Sequence, residues 1–214
     1  MPRSNVFISA KMASQTVPVQ KLACLGLLCL SLLAVLELPA FAAGSAKSSY
    51  GVDLTGQPVP SLTNQQTKAV VLLFVASDCP VSNRYLPQIR RLKSEFEPQN
   101  VAFWVIYPNP ADTASVIRQH QKDYGKIGEE IRDPNHTLVQ LAHVKITPEA
   151  AVLLPDGNGF HEVYVGRIDN RYIDFGNQRP HATQHDLQDA IAAVLHGNTA
   201  SRPTGQPVGC FIVN

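Results

Sequence analysis

Apolar residues fall along this chain in short runs, separated by stretches rich in proline, glycine and polar side chains. Val70 to Val75 is a continuous apolar run, as in a strand covered on both faces. Pro80 to Phe96 places Ile89, Leu92 and Phe96 on one helical face, with Pro87 inside to kink it. Val101 to Tyr107 reads as a second buried strand. Asp112 is positioned to cap a helix running to about Tyr124, with Gly125 as its stop. Ile127 to Arg132 holds a short strand, and Asp133 or Asn135 caps a helix that turns Leu138, Leu141 and Ala142 inward. Ala150 to Leu154 and Phe160 to Val165 flank a Pro-Asp-Gly-Asn-Gly turn, the pattern of a hairpin. Gly166 to Pro180 reads as irregular. Thr183 caps a last helix, with Leu187, Ile191, Val194 and Leu195 inward and Gly197 at its end. Strands alternating with helices, then a hairpin and a helix, predict an α/β sandwich around a mixed sheet.

The N-terminal region does not fit that core. Leu22 to Leu38 is almost wholly apolar, follows Arg3, Lys11 and Lys21, and ends in Pro39-Ala40-Phe41-Ala42-Ala43. A basic start, an apolar middle and a small-x-small site predict a signal peptide over residues 1–42, with Met12 as an alternative start. If uncleaved, the same segment would be a membrane anchor at the short limit for a span. Cys24 and Cys29 lack the context of a lipoprotein site. Residues 43–67 then form a linker and an N-terminal loop or hairpin, residues 68–197 the main domain, and residues 198–214 a Pro/Gly-rich tail.

Composition adds two constraints. The 214 residues are 44% hydrophobic and 16% charged, with a formal charge of +1, which gives no argument for a nucleic-acid partner. Cleavage after Ala42 removes Arg3, Lys11, Lys21 and Glu37 from 18 basic and 17 acidic residues, leaving a charge of −1. It also leaves only Cys79 and Cys210, in a compartment where disulfides form.

Cys79 carries the candidate chemistry. It follows a buried strand and precedes Pro80, which opens a helix. A thiol at a helix N-terminus feels the positive end of the helix dipole, which favours the thiolate, the nucleophilic form. Ser82 stands where a second cysteine would complete C-x-x-C. Because serine cannot resolve a mixed disulfide, turnover requires another thiol. Asp78 would either raise the thiol pKa by repulsion or relay a proton. Cys210, in the short apolar segment Val208-Gly209-Cys210-Phe211-Ile212, is the remaining thiol of the mature chain. Folding back onto Cys79, docking as an edge strand with a free thiol, and pairing between molecules are all compatible with the sequence.

Three features together resemble the thioredoxin fold: Cys79 after the first core strand, Pro87 within the following helix, and Thr147-Pro148 just before the hairpin. The resemblance covers about residues 50–197 and is to the redoxin branch of AhpC/TSA-like and TlpA-like proteins, in a monothiol C-P-x-S-N form. It implies a three-layer sandwich, a central mixed β-sheet flanked by helices, with the redoxin-type extra helix and strand at about residues 112–132. It implies that Pro148 is a cis-proline and that Pro80, Thr147 and Pro148 contact substrate. It also implies that Cys210 can act as a resolving cysteine on a C-terminal tail. The activity implied is thiol–disulfide exchange on protein or small-molecule thiols and disulfides in the periplasm or outside the cell. No cofactor, no nucleic acid and no membrane contact beyond an uncleaved signal segment are implied.

Two further functions are carried as alternatives. A one-cysteine peroxidase would share Cys79, but the pattern P-x-x-x-T/S-x-x-C is not met, since Ala76 and Leu72 occupy its other positions. A copper-binding assembly factor of the Sco type would need Cys79 with a second ligand such as His136 or His143. Asn83 replaces that type's second cysteine. The remaining readings are structural: histidines at the surface or at helix caps, Trp104 packed on a core strand, Glu149 as an exposed charge, and Arg167 paired with Asp169 on the surface.

Overall fold

The computed structural model describes residues 49–213 apart from Asn158 and Thr204, so the proposed signal segment lies outside the described residues. Five strands form the central sheet: β1 (Ala69–Phe74), β2 (Val101–Tyr107), β3 (Glu129–Arg132), β5 (Glu149–Asp156) and β6 (Gly159–Gly166). Their spatial order is β3-β2-β1-β5-β6, parallel from β3 to β1 and antiparallel from β1 through β5 to β6. The helices are α1 (Pro80–Phe96), α2 (Ala114–Tyr124), α3 (Thr137–Leu141) and α4 (Asp186–Leu195). Short pairs complete the set: β4 (Ile146–Thr147) with β9 (Cys210–Phe211), and β7 (Tyr172–Asp174) with β8 (Asn177–Gln178).

Alternation along β1 makes the layers. Val71 and Leu73 pack in one core with α1, α2 and α4, through Leu86, Ile89, Leu92, Ile117, Leu187 and Ile191. Val70, Leu72 and Phe74 point the other way, onto Leu62, Leu138, Ala142 and Val144. All six β1 residues are buried, which is why the run is apolar without a period of two. The result is the α/β, thioredoxin-like three-layer sandwich, with α2 and β3 as the extra helix and strand at the parallel edge.

Several local expectations are corrected. Thr113, not Asp112, caps α2, its side chain accepting from the Val116 amide, while Asp112 turns inward to Ser77. Thr183 does not cap α4, which starts at Asp186; Thr183 is instead bonded to Asn170. The stretch expected to be irregular contains the β7–β8 pair. Asp133 does serve α3, accepting from the amides of Thr137, Leu138 and Val139 at 2.7, 2.8 and 3.0 Å. The residue at the cap position is His136, in the left-handed region at φ 55°. Among the described residues no helix is long and apolar enough to cross a membrane.

Candidate active site

The register of β1 against β5 brings the site together. Phe74 lies opposite Glu149, so the loop after β1 and the residues just before β5 emerge at the same end of the sheet. Cys79 sits in the first and Thr147–Pro148 in the second. Cys79 is the cap residue of α1, in extended conformation, with Pro80 at the first helical position. Its carbonyl accepts from the Asn83 amide at 3.0 Å, and its Sγ donates to the Thr147 carbonyl at 3.2 Å. The Thr147–Pro148 peptide bond is cis.

The tail reaches the same point. Cys210 and Phe211 pair antiparallel with Thr147 and Ile146. The Ile212 amide donates to the Lys145 carbonyl at 3.0 Å, and the Val213 amide to Asn109 Oδ1 at 3.1 Å. This pairing sets Cys210 Sγ 2.6 Å from Cys79 Sγ, both as free thiols. Cys79 has no exposed surface, whereas its neighbours Asp78 and Pro80 are exposed.

The two thiols are electrostatically unequal. Burial pushes the Cys79 thiol up, but hydrogen bonds from Cys210 and from the amide and hydroxyl of Ser82 outweigh it, and the thiol lies below its ordinary value. Burial, the bond to Cys79 and repulsion from Cys79 and Asp78 push the Cys210 thiol up to about 12. Of the two thiols, Cys79 therefore gives up its proton the more readily. Ser82 is fully buried, and its hydroxyl also accepts from the Ala76 amide at 3.4 Å. The side-chain hydroxyl beside the sulfur thus comes from Ser82 rather than from position 76.

A chain of polar groups backs the Cys79 loop. Asn83 Nδ2 donates to the Ser77 carbonyl at 3.0 Å, and Asn83 Oδ1 lies 2.7 Å from His120 Nε2. His120 Nδ1 in turn meets the Tyr107 hydroxyl at 3.2 Å. Burial holds His120 below its ordinary value, and its ring links Asn83 to Tyr107. Asp112 accepts from the amide and hydroxyl of Ser77; burial pushes its carboxyl up, and its Oδ2 has no hydrogen-bond partner among the described residues.

Glu149 is not the exposed charge expected. It is buried, and its Oε2 accepts from the Lys145 and Ile146 amides at 3.1 and 3.4 Å, bracing the turn that carries Thr147. Arg167 and Asp169 do not pair with each other. Arg167 Nε bonds Asp186 Oδ2 at 2.8 Å, and Asp169 Oδ1 accepts from the Tyr85 hydroxyl at 2.6 Å. Trp104 donates from Nε1 to the Leu62 carbonyl at 2.9 Å, a structural role. His136 Nε2 meets the Pro108 carbonyl at 3.1 Å, and His143 faces Glu162. Among the described residues no group of three or more His, Cys, Asp or Glu is arranged to hold a metal ion.

Ser82, Asn109 and Glu149 are the contributors that sequence reasoning undervalued. Ser82 was readable, since a hydroxyl in the first turn of a helix lies near its cap. Asn109 was not, because its contact depends on where a distant tail lies.

The AhpC/TSA family profile matches residues 37–158. No curated protein matches the sequence significantly. Among solved structures, an uncharacterized conserved protein from Geobacillus kaustophilus is similar at 21% identity, TM-score 0.62, covering 78% of this chain and 88% of that one. A hypothetical protein from Sinorhizobium meliloti is similar at 21% identity, TM-score 0.63, covering 78% and 91%. A secreted Mycobacterium tuberculosis disulfide oxidoreductase, homologous to Escherichia coli DsbE, is similar at 19% identity, TM-score 0.46, covering 69% and 96%.

Proposed function

The chain belongs to the AhpC/TSA family, and from that premise we propose that it is an exported thiol–disulfide oxidoreductase with Cys79 as nucleophile and Cys210 as resolving thiol. The observation that carries this reading is the 2.6 Å approach of Cys210 Sγ to Cys79 Sγ. The tail thiol occupies the role left open by Ser82. The thiolate-favouring setting of Cys79 supports its role as the attacking group: the α1 N-terminus and donors from Ser82 and Cys210 all stabilise negative charge on sulfur. Export rests on the basic, apolar and small-residue pattern of residues 1–42.

The Cys79 thiolate attacks one sulfur of a substrate disulfide. A Cys79–substrate bond forms, and the other substrate sulfur leaves as a thiolate. Cys210 then loses its proton and attacks Cys79 Sγ. The Cys79–Cys210 bond forms, and the second substrate sulfur is released and protonated. The substrate gains two electrons and the protein dithiol loses two. A reduced dithiol from outside the chain returns the pair to the starting state. Thr147, whose carbonyl accepts from Cys79 Sγ, and Pro148 after it position the substrate chain, and Pro80 lies at the approach.

Intact-mass analysis with a protein disulfide substrate tests the reading. Cys79→Ser should abolish exchange. Cys210→Ser should retain the first attack and accumulate a stable mixed disulfide on Cys79. Undiminished exchange by Cys79→Ser would overturn the assignment.

A further inference from the structure

We propose, resting on Cys79 as the attacking thiol, that the strand around Cys210 is a tethered likeness of the substrate. The strand edge of β4 that it pairs with would then receive an extended segment of another polypeptide, carrying a cysteine with glycine immediately before it. The tail competes with that segment.

The hydrogen bonds that hold the tail strand come largely from its backbone. Cys210 and Phe211 pair with Thr147 and Ile146, Ile212 donates its amide to Lys145, and Val213 donates its amide to Asn109. The Thr147 hydroxyl adds a bond to the Cys210 carbonyl at 3.4 Å. Any extended chain can offer the same amides and carbonyls, which is how an exposed strand edge accepts a peptide.

Val208 and Ile212 add apolar contacts with the two cores, and two further positions select sharply. The first is the cysteine, whose sulfur must meet Cys79. The second is Gly209, where a Cβ would run into the Thr147 carbonyl and Pro148 Cδ. Main chain is what it would meet, so the clash is not relieved by a side-chain rotation. By contrast, Phe211 is 75% exposed, so the position after the cysteine is not selected.

Cys79 is hidden while Asp78 and Pro80 beside it are exposed, and the tail strand is one of the elements that cover it. Cys79 sits at the margin of the core, and the tail strand places Cys210 Sγ 2.6 Å from its sulfur. A substrate segment must therefore displace residues 208–212 before the Cys79 thiolate can attack its disulfide. The tail's return delivers Cys210 to the Cys79 sulfur and expels the reduced segment in one movement.

Rates with peptide mixed disulfides test this. The probes are Val-Gly-Cys-Phe-Ile and Val-Ala-Cys-Phe-Ile, each joined through cysteine to thionitrobenzoate, whose release is read by colour. The full chain carries Cys210→Ser, which removes the internal thiol and keeps the strand. The glycine peptide should react about tenfold faster than the alanine peptide, the size expected of an overpacked backbone contact. Adding Gly209→Ala should loosen the tail and speed the glycine peptide by about tenfold again. Equal rates for the two peptides, or no acceleration on loosening the tail, would overturn the inference. Dithiobis(nitrobenzoate), a small disulfide with no peptide, reads Cys79 alone. If it reacts while the peptides are not distinguished, only the present inference falls. If Cys79 fails to react even with it, the proposed function falls as well.

Discussion

Cys210 Sγ donates to Cys79 Sγ, and which of the two thiols ionises first depends on their neighbours. Ser82 and Cys210 both donate toward Cys79, so Ser82→Ala and Cys210→Ala should each raise the Cys79 pKa. The pH dependence of thiolate absorbance or of alkylation rate reads this, and an unchanged midpoint in both variants would remove the asymmetry. A second titration belongs to Glu130, buried on β3 beside Gln121, whose carboxyl burial pushes up from 4.5 to about 7. A carboxyl with a raised folded-state pKa stabilises the fold below its unfolded value, and that contribution is lost as pH rises toward 7. Stability should therefore fall between pH 4.5 and about 7, and Glu130→Gln should flatten the fall by about 2 kcal/mol, as read by urea midpoints across that range. Cys79 and its helix were legible from residues alone, because a strand, a cysteine and a proline follow one another in sequence. The partners of Glu149, Arg167 and Asp169 were not, because each lies across a turn or on another element.

At the level of elements, α3 is the clearest case of a helix made by its cap. It spans only Thr137–Leu141, begins after a left-handed His136, and has three of its first amides satisfied by Asp133. A helix this short cannot hold itself by propagation, so the carboxylate is decisive. Asp133→Ala should cost about 2 kcal/mol in urea unfolding, while Asp133→Asn should recover part of it. A loss within about 0.5 kcal/mol would mean the Leu138 contacts alone hold the turn. Strands β1 and β2 and helix α1 were legible because their apolar patterns are long. Helix boundaries were less so. Asp112 and Thr183 both look like caps, but Asp112 is drawn inward by Ser77 and Thr183 is held by Asn170. Polar side chains with two competing partners are settled by tertiary contacts, not by their place in the sequence.

Over the whole molecule, a Cys79–Cys210 bond would tie together positions 131 residues apart. Closing so long a loop restricts the unfolded chain, so the oxidised protein should exceed the reduced one by up to about 4 kcal/mol. Urea midpoints with and without reductant measure the difference, and Cys210→Ser should erase it. Equal midpoints for both redox forms would count against the pair. The amino-acid sequence by itself determined the sandwich, the strand–Cys79–helix junction, Ser82 in place of a second cysteine, and the two thiols left if residues 1–42 are removed. Those are matters of local order: apolar period, turn residues and neighbours along the chain. Only the tertiary structure decided that the tail thiol lies beside Cys79. The tail has little intrinsic structure of its own, and its place is set by backbone pairing with Ile146 and Thr147, residues far away along the chain. The gap at Ser82 was visible in the sequence, and the approach of Cys210 to Cys79 became visible only once the β4–β9 pairing had laid the tail beside the Cys79 loop.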